Sequence, residues 1–171
     1  MKSTFQPKQK REKICTVIRE NPGLNYQSLL RHTGFVNGVL SHHLKRLETE
    51  GMLRAKRKGR TVWFFPVLSD PSKDWLIINL RKETCKNILV FLLNKQAATF
   101  VEITQASRKS PATISYTLKH LVHNNVIKKI PGFQKKYSLC DPQLTKHLLD
   151  ELDITPIDTM TDRFADSFSY Y

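Results

Sequence analysis

The sequence predicts a mainly α-helical protein of the α+β class, in which small β-hairpins follow groups of helices and the whole arrangement occurs twice. Three observations predict it: a repeat offset by 74 residues, apolar spacing typical of helices, and alternating segments that surround basic turns. The 171 residues are 40% hydrophobic, which is ordinary for a globular chain, yet 28 Lys and Arg face only 15 Asp and Glu. The net charge of +13 therefore needs an explanation.

The repeat aligns without a gap when the sequence is shifted by 74 residues. Few positions are identical, but the apolar pattern is shared along the whole unit. Identical pairs include Ile14 and Ile88, Ser41 and Ser115, Leu44 and Leu118, Lys45 and Lys119, and Leu47 and Leu121. Two copies of one small domain are the simplest interpretation.

Charge follows the same division. Residues 1–66 carry +10, residues 67–140 carry +8 and residues 141–171 carry −5. Two basic blocks before an acidic end favour a polyanionic partner, and lysines that only maintain solubility are the alternative. The predicted parts are a flexible basic arm at 1–7, domain 1 at 8–68, a helical connector at 69–80, domain 2 at 81–140, a C-terminal helix at 141–152 and an acidic, flexible tail at 153–171.

Each copy is predicted to contain three helices followed by two short strands. Helix two is expected to be capped by Asn25 or Thr99 and to bury Leu29 and Leu30 in one copy, and Val101 and Ile103 in the other. The turn after it contains Gly34, which suits a positive φ. Its counterpart Arg108 does not, so a differently shaped second turn is predicted.

Helix three is the most clearly marked element. It is expected to begin at Asn37 in the first copy and at Pro111 in the second, with Ser110 as the N-cap. Leucine and isoleucine recur at i, i+4 and i+7 on one face, which leaves small, polar and basic residues on the other. The hairpin that follows is predicted to turn at residues 57–60 in the first copy and around Pro131-Gly132 in the second.

The order of these elements resembles a winged helix-turn-helix. Residues 38–53, GVLSHHLKRLETEGML, closely resemble the recognition helix and wing entry of ArsR-like and MarR-like regulators. The tandem arrangement is similar to an archaeal group of predicted transcriptional regulators built from two such domains. The resemblance covers about residues 8–140 and implies that each helix three enters a major groove of DNA while each wing lies along the backbone or minor groove.

The residue types agree with that role. Short polar side chains and donors on an exposed helix face suit base edges, and basic hairpins suit phosphates. The expected contacts on the helices are Asn37, Ser41, His42, Lys45, Arg46, Thr113, Ser115, Tyr116 and Lys119, and those on the wings are Lys56, Arg57, Lys58, Arg60, Lys135 and Lys136. The partner is thus double-stranded DNA, with no cofactor, no metal and an unknown effector.

Several residues have a structural interpretation as well. His42 is expected to contact DNA and His43 to be partly buried, with a metal site as the weaker alternative. Trp63, Phe64, Phe65 and Tyr137 are interpreted mainly as core rather than base-stacking residues. The three cysteines are too widely separated for a disulfide framework or a zinc site, and Cys15 and Cys85 are interpreted as buried helix residues.

The segments outside the repeat leave alternatives open. Asp74 begins a helical stretch that is expected to run on into domain 2, and its apolar residues either pack between domains or form a subunit interface. The C-terminal helix, with Leu144, Leu148 and Leu152 inward, lies where the families that the sequence resembles commonly have dimer contacts, so the resemblance implies a second route to a homodimer. The tail is interpreted as mobile, with a partner-binding or autoinhibitory peptide as the alternative.

The leading hypothesis is a sequence-specific DNA-binding transcriptional regulator. A tandem winged-helix scaffold for protein complexes is the alternative from another class. An enzyme is disfavoured because the sequence contains no Gly-rich phosphate loop and no metal-ligand spacing. The apolar segments are shorter than the roughly 18 residues of a membrane span, and no export signal precedes residue 8, so a cytoplasmic, nucleoid-associated protein is expected.

Overall fold

The computed structural model describes residues 6–152. Most of the predicted arm and all of the acidic tail at 153–171 lie outside the described residues. Within them, the chain divides into two compact units, with the boundary between Asp74 and Trp75 inside the predicted connector. The fold is mixed α and β, with small antiparallel sheets.

Unit 1 begins with helix α1, which starts at Pro7 beside the cap residue Gln6. Its elements are α1 (Pro7–Glu20), β1 (Leu24–Asn25), α2 (Tyr26–Thr33), α3 (Asn37–Thr49), β2 (Leu53–Lys58), β3 (Thr61–Pro66) and a 3-10 turn (Pro71–Lys73). The core lies where α1, α2 and α3 meet one face of the sheet, and it includes the buried Ile14, Leu29, Leu40, Leu47 and Phe64.

Unit 2 has the same order of helices and strands after a leading helix. Its elements are α4 (Asp74–Leu80, whose first residue falls in unit 1), α5 (Glu83–Lys95), β4 (Ala98–Thr99), α6 (Phe100–Ser107), α7 (Pro111–His123), β5 (Ile127–Ile130), β6 (Lys136–Leu139) and α8 (Pro142–Glu151). Ile88, Ile103, Ile114, Leu118 and Leu121 are fully or almost fully buried. These are the positions that the helical spacing predicted to face inward.

Each sheet contains one strand more than was predicted. The strand order is β1-β3-β2 in the first sheet and β4-β6-β5 in the second, all antiparallel. The extra strands β1 and β4 are two residues long, too short to produce the alternation by which a strand is recognised in a sequence. Each precedes a helix whose cap was predicted correctly, with Asn25 accepting from the Ser28 amide and Thr99 from the Glu102 amide.

Two predictions about the second helix-turn-helix were wrong. Arg108 adopts the left-handed conformation with φ 51°, close to the φ of 68° at Gly34, so the two turns are alike. Val101 is 60% exposed rather than inward. The inward stripe of α6 runs through Phe100, Ile103 and Thr104 at i, i+3 and i+4, and Val101 lies beside it.

The connector is not one continuous helix. Helix α4 ends at Leu80, and Lys82 adopts an extended conformation (φ −88°, ψ 121°) as the cap of α5. The Lys82 amide donates to the Asn79 carbonyl three residues back, which closes the end of α4. Glu83 follows in the first turn of α5, where a negative charge is favourable.

In the elements that were expected to offer a dimer interface, most apolar side chains are buried within the single chain, and Trp75 and Leu144 are half-buried. Ile78 and Leu80 of α4 are 2% and 0% exposed. Leu148 and Leu152 at the C-terminal helix are also buried, and α8 packs against α5 of its own unit. These side chains provide no exposed apolar face for a second subunit.

Candidate nucleic-acid interface

Helix α3 presents its polar face to solvent because its apolar stripe is held in the core of unit 1. Leu40, Leu44 and Leu47 are at most 3% exposed. All five predicted contact residues of this helix are exposed, and the structure brings them together on one side: Asn37, Ser41, His42, Lys45 and Arg46. The i, i+4 pairs Asn37 with Ser41 and Ser41 with Lys45 lie one above the other on this face.

The start of α3 is fixed by hydrogen bonds from α2. Gly34 ends α2 in the left-handed conformation, and its amide donates to the Leu30 carbonyl at 2.9 Å. The Tyr26 hydroxyl donates to the Asn37 carbonyl at 2.9 Å and also contacts the side-chain oxygen of Asn37. That oxygen is therefore already bonded within unit 1. The side-chain NH2 group of Asn37 is the part that can donate a hydrogen bond to a ligand.

The two adjacent histidines of α3 have opposite environments. His42 is exposed, whereas His43 is 8% exposed and its Nδ1 has no hydrogen-bond partner. Burial lowers the pKa of His43, and the nearby His42, Lys10, Arg11 and Arg46 lower it further. Among residues 6–152 no group of three His, Cys, Asp or Glu side chains could hold a metal ion.

Three of the predicted phosphate contacts are already ion-paired inside unit 1. The Arg57 guanidinium donates to both oxygens of Glu48 at 2.7 and 2.6 Å, and this lowers the pKa of Glu48. Arg46 donates to Glu50 at 2.6 Å and lowers the pKa of that carboxyl. The Lys56 ammonium lies 3.4 Å from the carboxylate of Asp74.

Two cations of the same face differ from these. Arg60 is exposed in the turn between β2 and β3, and Lys45 is exposed on α3. Within the described residues neither forms an ion pair. Lys45 and Arg60 are therefore predicted contacts of unit 1 whose charge no acidic side chain within residues 6–152 offsets by direct contact.

Wing 1, the hairpin of β2 and β3, is tighter than predicted. Lys58 pairs with Thr61, so Arg57 and Lys58 belong to strand β2 and the turn consists of Gly59 and Arg60 alone. Gly59 has φ 57°, which suits the two-residue turns that match strand twist. The prediction of a four-residue turn was wrong because basic residues were counted as turn residues by their polarity.

Sequence reasoning missed the role of Arg54. Its guanidinium donates to both oxygens of Asp74 at 2.7 Å, and the guanidinium carbon lies 4.8 Å from the ring centroid of Phe65. Asp74 is 1% exposed and Phe65 is fully buried. Arg54 thus stabilises the base of wing 1 and is not available to bind a ligand. In the sequence, the one indication of this role is that Arg54 lies opposite the aromatic Phe65 in the hairpin.

Helix α7 of unit 2 carries a less basic face. Ser110 caps it, accepting from the Thr113 amide at 3.2 Å, and the two hydroxyls lie 2.9 Å apart. Thr113 is half-buried, whereas Ser115, Tyr116 and Lys119 are exposed. The Tyr116 ring stacks on His120 with 6.4 Å between centroids.

Wing 2, the hairpin of β5 and β6, differs from wing 1 in its tip. Ile130 pairs with Lys136, which leaves the five residues 131–135 as the loop. Lys135 lies in this loop and Lys136 begins β6, and both are exposed. Tyr137 is half-buried, as is Trp63, while Phe64 and Phe65 are buried, so the structure confirms the core interpretation for the two phenylalanines.

Comparison with known proteins gives two similarities. Residues 8–76 match the model of a family described as an N-terminal HTH domain. The chain is also 28% identical over 118 residues to an uncharacterized HTH-type transcriptional regulator of Methanocaldococcus jannaschii. That alignment covers 69% of this chain and 30% of the relative, so the chain spans under a third of the relative's length.

The described residues contain no helix that is long and apolar enough to cross a membrane. The exposed polar face of α3, the basic hairpin and the two similarities agree with one another. Together they agree with the helix-turn-helix arrangement of α2 and α3 in unit 1.

Proposed function

We propose that this chain is a sequence-specific regulator of transcription that binds double-stranded DNA through two winged helix-turn-helix domains, at 8–68 and 81–140. The observation that carries the proposal is the shared arrangement of the two units. In each, a helix with a buried apolar stripe presents a polar face, and an antiparallel hairpin follows it.

In this proposal α3 and α7 occupy major grooves. A major groove about 12 Å wide admits a helix, and short polar residues allow a close approach to base edges. Ser41, His42 and Lys45 serve in domain 1, and Ser115, Tyr116 and Lys119 in domain 2. Asn37 and Thr113 lie at the start of each helix, where recognition helices contact bases.

The wings supply affinity rather than sequence information. Each phosphate that Lys or Arg neutralises releases condensed counterions from DNA. Arg60, Lys58, Lys135 and Lys136 are exposed and basic, which suits this role. Arg46, Arg57 and Lys56 are held by acidic residues, so in the proposal they position the helix and wing and add less net charge.

Two domains in one chain can reach two half-sites about 10 bp apart, as a dimer of single domains does. The proposal therefore needs no homodimer, and the buried faces of α4 and α8 agree with that. The same proposal includes membership of an archaeal group of tandem regulators with ArsR-like or MarR-like domains. It also includes a cytoplasmic location at the nucleoid.

The experiment is equilibrium binding of the full chain to fluorescent duplex DNA, measured by anisotropy at about 50 to 300 mM salt. We expect binding at the low end that weakens steeply as salt rises, and fragments selected from a random pool should bind more tightly than the unselected pool. No binding at about 50 mM salt, or a flat dependence on salt, would favour the protein-interaction scaffold instead.

A further inference from the structure

The tip of wing 2 is centred on an aromatic residue. Ile130 pairs with Lys136 and Ile127 pairs with Leu139, so the hairpin is symmetric about Phe133. In wing 1 the pairing of Lys58 with Thr61 centres the hairpin on the Gly59-Arg60 turn. Leu53 pairs with Pro66 in wing 1, and the equivalent Ile127 pairs with Leu139 in wing 2, so the second hairpin is one residue shorter. A single residue therefore lies at its apex.

Phe133 makes no contribution to the core of unit 2. Its side chain is 106% exposed, and Ile130 beneath it is 37% exposed. The loop around them forms a shallow concavity lined by residues of this tip. A single exposed apolar side chain is common on protein surfaces, and Phe133 differs from the others in its position at the apex of a basic hairpin.

The surroundings of Phe133 are uniformly basic. Residues 127–140 contain four lysines and no acidic residue. Lys128, Lys129, Lys135 and Lys136 are all exposed. An apolar apex between positive flanks is complementary to a ligand that presents a narrow apolar slot between rows of negative charge.

We propose that Phe133 is a wedge that enters the minor groove of the DNA and inserts its ring at a base step. The inference rests on the proposed function and adds to it a contact that neither recognition helix provides. The minor groove is about 6 Å wide, too narrow for the body of the hairpin but open to one side chain. Apolar wedges of this kind partly unstack a base step and bend the duplex.

The arrangement also distinguishes DNA from other partners. One apolar ring is far smaller than the patch of a stable protein interface, which buries about 800 Å² on each side. The flanking lysines would reach phosphates on both sides of the groove while the ring contacts the bases. Wing 1, with Arg60 at its tip, would contact only the phosphate backbone. The two wings would therefore differ in function, since only wing 2 would contact the bases.

The test uses the duplex that the full chain selects from a random-sequence pool, with 2-aminopurine substituted at one position at a time. Insertion of the ring unstacks a base, so we expect the fluorescence of one or two positions to rise on binding. Phe133→Ala should abolish that rise and weaken binding about five- to hundredfold, the range for loss of one aromatic stacking contact. Phe133→Trp should preserve both.

The salt dependence separates a wedge from a charge effect. Phe133→Ala removes no phosphate contact, so the slope of log K against log salt should stay unchanged, whereas Lys135→Ala should lower it by about one. Leu68→Ala is the matched control, since Leu68 is 96% exposed in the other unit and its loss should alter neither affinity nor fluorescence.

The wedge proposal would be wrong if Phe133→Ala bound DNA with the affinity, the fluorescence rise and the steep salt dependence of the wild-type chain. The proposed function would not be affected by that result. Absence of duplex binding by the wild-type chain would overturn both. Binding to vesicles of anionic phospholipid that depends on Phe133, without any fluorescence rise on DNA, would assign the tip to a membrane surface and contradict the inference.

Discussion

Arg57 of wing 1 and Glu48 of α3 form a two-pronged ion pair, with N–O distances of 2.7 and 2.6 Å. The pair joins the hairpin to α3 across nine residues of sequence. It links the wing to the helix, and it also cancels one positive charge on the face proposed to meet DNA.

We expect Glu48→Gln to strengthen binding to unselected DNA and to make its salt dependence steeper by about one, because the charge of Arg57 becomes available to phosphate. Arg57 is 55% exposed, so the pair contributes only about 0.2–1 kcal/mol to the free energy of unfolding. Anisotropy titrations measure the first effect and urea unfolding the second.

The double variant Glu48→Gln with Arg57→Ala is the control. It should return the salt slope to the wild-type value, since the released charge is absent. A wild-type slope in Glu48→Gln together with a reduced slope in Arg57→Ala would show that Arg57 leaves Glu48 when DNA binds.

The turn between α2 and α3 gives a prediction about stability. Gly34 has φ 68°, and a Cβ built on it would meet no atom within 4 Å, so the backbone conformation alone sets the cost of a side chain. Gly34→Ala should therefore lower the free energy of unfolding by about 1 kcal/mol, with the folded structure unchanged. Urea unfolding followed by circular dichroism measures the change.

Arg108 at the matching position of unit 2 provides the reverse experiment. It holds φ 51° without being glycine, so Arg108→Gly relieves that strain and should stabilise unit 2 by about 0.5–1 kcal/mol. Equal and small effects of both substitutions would mean that the left-handed conformation is not strained at either turn.

His43 predicts how stability depends on pH. Its folded-state pKa is lowered, so the unfolded chain binds more protons once the pH falls below the ordinary value of 6.5. The contribution of His43 to stability is full above that pH and is lost as the pH falls towards the folded pKa. The carboxyls of Glu48 and Glu50 also have lowered pKa values, so their contribution to stability is full above about 4.5 and is lost only as the pH falls below that value.

Unfolding midpoints in urea between pH 5 and 7.5 or so test this separation. The wild-type midpoint should fall from pH 7 to 5, and His43→Leu should show a smaller fall over that range because no buried imidazole has to take up a proton. An identical pH dependence in the variant would assign the fall to other groups.

The exposed face of α3 gives a prediction about sequence preference. Ser41→Ala or His42→Ala should change the preferred base at one or two positions of the selected site, because a good base contact discriminates by about 1–3 kcal/mol. Arg60→Ala should weaken binding to all sequences alike. Selection from a random pool, followed by sequencing, measures both, and a common, uniform loss in all three variants would contradict base reading by α3.

Periodic features were the ones that the sequence predicted well. The stripe of Leu40, Leu44 and Leu47 and the cap at Ser110 follow from local spacing and chemistry, and the structure has them. Elements set by pairing between distant residues were harder. The strands β1 and β4 exist because their backbone groups bond to β3 and β6, and a two-residue strand has no pattern of its own.

The charged residues of the site show the same limit. The sequence identifies Arg46, Lys56 and Arg57 as cations of helix three and the hairpin. The structure places Arg46 on α3 and the other two on β2. Their acidic partners come from elsewhere in the fold, and only Arg46 with Glu50 has the i, i+4 spacing that predicts a pair. The net charge of a face therefore depends on tertiary contacts as well as on composition.

The central claim is that α3 and wing 1 form one DNA-binding face, and matched arginines test it most directly. Arg60 lies at the tip of wing 1, and Arg19 is exposed in the last turn of α1, outside the proposed interface. The measurement is the slope of log K against log salt for duplex DNA in the wild-type chain, Arg60→Ala and Arg19→Ala. The account predicts that Arg60→Ala lowers the slope by about one while Arg19→Ala leaves it unchanged, and equal slopes in all three proteins would contradict it.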